Sequence, residues 1–314
     1  MKKTLAILIA LIMVFTCASA LAEFELTTGG SAGTYYGYSN VLAQYITNNT
    51  DVAITAVTSN GSADNIDRLD LNYSQLGTVQ NDVAYYAYNG IRVFEGSPVT
   101  SFTALAALYT ETVQLVTWDP EIKSVADLKG KTVSIGASGS GVYYNALDFL
   151  AAYGLTEEDI TPTYESFGDS AESLKDHKID AAFVVAGHPT PAVTDLCTTT
   201  DTYLVSLDAE HIANLKEIND AYVETIIPAG TYEGIDEDVV TVGIKATLIA
   251  NGEVSDEEAY IIVSTIFENA DAIGEQHAKG YELDLEYAST CGLPYHPGAA
   301  KYFAEKGIEV ELAD

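Results

Sequence analysis

Short apolar, β-branched runs alternate along this chain with longer amphipathic stretches. The runs at 24–26, 52–57, 76–79, 133–135 and 181–185 have the length and composition of strands. Between them, residues 36–48, 62–71, 82–89, 141–153 and 170–177 repeat their apolar positions at helical spacing. Such alternation predicts α/β lobes with largely parallel sheets. Two longer β-rich segments, 104–118 and 239–250, have no helical partner and lie about one lobe apart. They predict strands on which the chain leaves a first lobe, residues 23–121 with 238–314, and returns from an inserted one, 122–237. After Asn251 and Gly252, a helix is predicted over 255–272, with Ser255 as its cap and Glu257 and Glu258 in its favourable first turn.

Three of the strand-like runs stop at loops of Gly, Ser, Thr and Asn, and a helical pattern begins at once. One loop carries Gly33, Thr34 and Tyr35, the second Ser59, Gly61 and Ser62, and the third Ser138, Gly139, Ser140, Gly141 and Val142. Glycine lets backbone approach a bound group closely, and the first N–H groups of a helix lack an internal acceptor. Gln80 and Gly187 follow two further strand runs at equivalent places. In open α/β sheets ligands bind beyond the carboxyl ends of strands, so these residues predict a cleft that holds a small anionic solute. Backbone N–H groups, the hydroxyls of Ser62, Ser138 and Ser140, and the Tyr35 phenol would bind it. Tyr35 lies nearer its loop than Tyr36, Gln80 can donate and accept, and Val142 with Tyr143 would wall the pocket. Asp82 is expected to cap the helix after it.

Arg68 and Arg92 are the only arginines, and each is expected at the surface, so a bidentate clamp on a carboxylate is not expected. His188 and His296 both precede proline and read as loop residues, because no second His or Cys lies at ligand spacing. Neither a metal nor a cofactor is expected. Residues 1–22 read as a secretory signal peptide: Lys2 and Lys3, an apolar core over 5–15, and a small-residue site at 20–22. Cys17 offers a lipid-anchored alternative, which the preceding Val14, Phe15 and Thr16 disfavour. Without the leader, 12 cations stand against 46 carboxylates. That balance excludes nucleic acid as a partner, since phosphate binding needs a basic face. It favours solubility outside the cell membrane. Cys197 and Cys291 would then remain, able to pair or to stay free.

The loops do not stand alone. They form an ordered series with Thr28-Gly29-Gly30-Ser31-Ala32-Gly33-Thr34-Tyr35-Tyr36, Ser59-Asn60-Gly61-Ser62, Val79-Gln80-Asn81-Asp82 and Ser138-Gly139-Ser140-Gly141 with Asn145. Ser166-Phe167-Gly168, Asp180-Ala181-Ala182-Phe183, Ile227-Pro228-Ala229-Gly230 and Leu293-Pro294-Tyr295-His296-Pro297 complete it. Through nearly all of the mature chain this series resembles the TAXI family, the solute-binding receptors of tripartite ATP-independent periplasmic (TRAP) transporters. The resemblance implies a two-lobed type II periplasmic-binding-protein fold. It implies a monomer that closes over a small carboxylate solute, such as glutamate, glutamine, 2-oxoglutarate or a related dicarboxylate, and delivers it to TRAP membrane permease subunits. Asn60 in place of a glycine, and Val142-Tyr143-Tyr144 after the Ser-Gly loop, depart from the commoner pattern beside the pocket, so the solute itself does not carry over. A receptor for an ATP-driven importer would share the fold. A secreted hydrolase or lyase would need a base beside Ser140, and the Gly139-Ser140-Gly141 loop has no obvious partner histidine.

Overall fold

The structure, a computed structural model, describes residues 22–312. The leader, apart from Ala22, and Cys17 lie outside the described residues. Ten strands form one hydrogen-bonded network: β1 (Ala22–Thr27), β2 (Val52–Val57), β3 (Leu76–Gln80), β4 (Phe102–Thr117), β5 (Thr132–Ser134), β6 (Thr161–Thr163), β7 (Ala181–Ala186), β8 (Tyr203–Leu204), β9 (Val223–Ile227) and β10 (Val239–Asn251). Their order is β2-β1-β3-β10-β4-β7-β5-β6, with β8 beside β4 and β9 beside β10. The flanks are parallel, β1 with β2 and β3, and β5 with β6 and β7. The centre corrects the expectation of largely parallel sheets: β4 runs antiparallel to β7 and β10, and β10 antiparallel to β3 and β9. The cause is connectivity, because β4 carries the chain out to the second lobe and β10 brings it back.

Apolar packing separates the lobes. One core joins residues 24–109 to 246–303, almost entirely within the first lobe, and two smaller cores cover the faces of the second-lobe sheet. The change occurs inside the shared strands. Tyr109 belongs to the first core and Val113 to the second, as do Ala246 and Ile244 on the returning strand.

Helices follow the strands as their spacing predicts: α1 (Thr34–Asn49), α2 (Ser62–Asp70), α3 (Asn81–Asn89), α4 (Val142–Ala152) and α5 (Phe167–Lys175). Two more in the second lobe lie outside the sequence expectation, α6 (Pro191–Thr199), opened by a proline in its first turn, and α7 (Ala209–Ile218), capped by Asp208. The helix predicted over 255–272 is instead two. α8 (Asp256–Glu268) starts on a capping box between Ser255 and Glu258, Asn269 leaves helical geometry, and α9 (Ala270–Gly274) resumes. Short α10 (Leu285–Ala288) and α11 (Pro297–Glu305) complete the first lobe, where His296 accepts from the Gly298 N–H at 3.2 Å as the α11 cap. Among the described residues no helix is long and apolar enough to cross a membrane.

Candidate functional site

The loops after β1, β2 and β5 meet where the lobes face one another, around a cavity of about 80 Å³. From the first lobe it is lined by Gly29, Gly30, Gly33, Thr34, Tyr35, residues 59–62, Gln80 and Glu111, and from the second by Ala137, Ser140, Gly141, Val142, residues 165–167, Val185 and Ala186. Gly33, Thr34, Tyr35, Ser59, Gly61, Ser62, Gln80, Ser140, Gly141 and Val142 thus come together, whereas Tyr36 does not line the cavity. Three expected contacts lie elsewhere. Ser138 and Gly139 are exposed and border a separate outer groove, because their loop turns outward. Gly187 sits behind the wall, its carbonyl accepting from Thr34 Oγ1 at 2.7 Å.

The helix ends differ in what they offer. Gly33, Gly61 and Gly141 are the N-caps of α1, α2 and α4, and none of these ends has a side-chain cap, unlike α5, α7 and α8 with Ser166, Asp208 and Ser255. The first-turn N–H groups of α1 and α4, one helix from each lobe, therefore border the cavity unserved by any side chain. The α2 end is different. Its Ala63 and Asp64 N–H groups donate to the Gly139 carbonyl at 3.0 and 3.1 Å, so the opposite lobe already occupies the donors expected to hold the solute.

Among the described residues no lysine, arginine or histidine lines the cavity, but two carboxyl groups do, Glu111 and Glu165. Glu111 is 2% exposed, on β4 opposite Ile244, where the packing passes from one lobe to the other. The Tyr35 hydroxyl donates to its Oε2. Burial pushes the Glu111 carboxyl well above the usual carboxylate range, against the pull of the Tyr35 bond. Sequence reading missed it. The available signal was the single charged residue of a sixteen-residue strand, flanked by Thr110 and Thr112. Gln80 Oε1, Ser140 Oγ and Glu165 Oε2 are buried without a hydrogen-bond partner among the described residues.

Beside the cavity a polar network joins the lobes, and it changes the expected roles of two residues. Arg92 is not a surface residue: its Nη2 meets Asp148 Oδ1 of the other lobe at 2.6 Å, with the Arg92 side chain 27% and the Asp148 side chain 4% exposed. Asp82 is not the expected cap of α3, whose N-cap is Gln80 without a side-chain cap; it lies in the first turn. Its Oδ1 accepts from the Val83 N–H at 2.8 Å, and its Oδ2 accepts from Asn145 and Asn219, each at 3.1 Å, across the cleft. Arg68 pairs with Asp64 one turn away at 3.3 Å. His188 Nδ1 meets Thr112 Oγ1 at 2.9 Å, in a loop role, and Cys197 and Cys291 are both buried and free.

This architecture matches solved binding proteins. The alkanesulfonate-binding protein SsuA from Xanthomonas axonopodis pv. citri, bound to MOPS, is similar at TM-score 0.52 and 17% identity, over 90% of this chain and 83% of that one. A binding protein component of an ABC phosphonate transporter from Pseudomonas aeruginosa is similar at TM-score 0.53 and 13% identity, over 82% and 79%. The arginine-specific periplasmic binding protein of Salmonella typhimurium is similar at 0.51 and 12%, over 83% and 98%. At these identities the likeness is one of fold, and it establishes the two-lobed periplasmic-binding-protein architecture. The narrower assignment comes from sequence: a single family model matches residues 26–307, and the chain belongs to the NMT1-like family.

Proposed function

We propose that this chain is an extracytoplasmic, monomeric solute-binding receptor whose solute carries both an acidic group and a hydrogen-bond donor. One observation carries the reading. The cavity offers the N-termini of α1 and α4 to an anion, yet its side chains present acceptors, Gln80 Oε1 and the two carboxyl groups, and no cation. A helix end contributes up to about 2 kcal/mol toward an anion in partly buried geometry. An ammonium or amide N–H suits the acceptors. Glutamate and glutamine provide both ends, whereas 2-oxoglutarate and ionised dicarboxylates provide no donor. The thirteen predicted contact residues are the proposed site, less Ser138, Gly139 and Gly187 and with Glu111 added. The proposed lobes remain 23–121 with 238–314, and 122–237. No histidine stands at the cavity to activate Ser140, which favours binding over hydrolysis or lyase chemistry.

The resemblance in sequence favours TRAP permease subunits as the membrane partner, while the solved neighbours described as importer components serve ABC transporters. Copurification with each permease type in detergent separates the two. For the solute, residues 23–314 would be unfolded and refolded to strip bound ligand, then melted against amino acids, 2-oxo acids and dicarboxylates. A binder at 100 times its dissociation constant adds about 2.7 kcal/mol. Stabilisation by glutamine or glutamate, and not by succinate or 2-oxoglutarate, is expected. The reverse order would overturn the donor argument, and no shift with any of them would overturn the solute class.

A further inference from the structure

Gln80 has two faces. It is 2% exposed, at the end of β3, and its Nε2 donates across the cleft to Asn145 Oδ1 at 3.1 Å. Its Oε1 lines the cavity without a partner among the described residues. The side chain fills the space that a Cβ on Gly141 would take, since a methyl there would lie 1.7 Å from Gln80 Oε1, 2.4 Å from Gln80 Cδ and 2.9 Å from Val83 Cγ2. All three obstacles belong to the first lobe, and Gly141 itself has ordinary helical angles, φ −72° and ψ −22°. The closest obstacles to alanine at 141 therefore come from the other lobe. Gly141, Asn145 and Asp148 recur at helical spacing and share one face of α4. Opposite them the first lobe sets Gln80, Asp82 and Arg92, bonded to Asn145 and Asp148.

We propose that Gln80 is a positioning residue that makes solute capture and lobe closure a single event, an inference that rests on the receptor reading above. A donor on the solute engages Oε1 and holds the amide so that Nε2 reaches Asn145, with Gly141 leaving room for it. Without a donor, closure buries an unpaired acceptor, which disfavours the closed form of the empty protein. The closing face of α4 thereby senses a group on the solute that α4 does not touch.

The experiment uses residues 23–314 and L-glutamine as the probe, with compaction read by small-angle X-ray scattering and affinity by calorimetry. Gly141→Ala is expected to leave the melting of the ligand-free protein unchanged, abolish compaction, and weaken glutamine about tenfold to a hundredfold, the range of one overpacked contact. Gln80→Ala in the same chain removes the two closest obstacles and should restore most of the compaction, though not the affinity. A Gly141→Ala protein that compacts like the parent, or a double variant as open as the single one, overturns the proposal. If glutamine fails to bind the parent protein, the receptor reading loses this solute, and amide exchange decides the inference alone. In the ligand-free protein Gln80→Ala removes the unpaired acceptor, so the Ala63 and Asp64 N–H groups, bonded across the cleft to Gly139, should exchange more slowly than in the parent, and equal or faster rates overturn it.

Discussion

Asp82→Asn should flatten the acid side of the stability profile. Asp82 is 1% exposed, and burial is the largest influence on its carboxyl, raising its pKa from the usual 3.8 to about 6 even though the N–H groups of Val83, Asn145 and Asn219 compete. The sign follows from proton binding. Below pH 3.8 the group is protonated in both folded and unfolded chains, and above about 6 it is ionised in both. Between these limits the unfolded chain releases a proton that the folded chain keeps, so stability falls as pH rises. A gap of about 2 pKa units at 1.36 kcal/mol each amounts to about 3 kcal/mol. The asparagine variant lacks this titration. Urea unfolding followed by far-UV circular dichroism at steps from pH 4 to pH 7 covers most of that span and should show the parent losing about 2 kcal/mol more than the variant. Fluorescence of Trp118, the single tryptophan, which packs against one of the second-lobe cores, checks that both lobes unfold together. Parallel pH curves for the two proteins would refute the reasoning.

Two further changes test the closed interface. Arg92→Ala leaves the Asp148 carboxylate buried without its cation, the Tyr222 hydroxyl still donating to it at 3.2 Å, and should cost about 1–3 kcal/mol in urea unfolding at pH 7, discounted for the partial exposure of Arg92. A loss below about 0.5 kcal/mol would assign the pair to the surface class instead. Gly61→Val places a β-branched residue at φ +112°, with its Cβ 3.3 Å from the Ser140 Cα. Strain there costs about 1–3 kcal/mol, and glutamine affinity measured by calorimetry should fall while far-UV circular dichroism is unchanged. Unaltered affinity would remove Gly61 from the proposed site.

What the sequence made legible is local. Residues 52–57 read as a strand from their β-branched run alone, and Gly33, Gly61 and Gly141 as helix starts from the loop-to-helix switch. The misreadings share one cause, partners remote in sequence. Arg92 finds Asp148 56 residues on, and the α2 donors find Gly139 in the other lobe. Neither pairing leaves a periodic trace. Glu111 was hidden differently: inside a strand that reads as core, its meaning comes from lying where two cores hand over, and only the crossing of β4 with β10 fixes that point. The α6 and α7 helices were missed because their opening signals, Pro191 and Asp208, also suit turns.

The pairing of Thr112 with Gly243 bears on the order of assembly. Residues between that pair include every strand of the second-lobe sheet, so a refolding chain can complete this unit from contiguous sequence. The first lobe cannot do the same, because β3 must wait for β10, which arrives more than 150 residues later. Until then β3 presents a bare strand edge, the kind of surface on which chains associate wrongly. Refolding at high protein concentration should therefore fail through the first lobe, with the second already native, and dilution rather than a change of pH is the remedy the topology recommends.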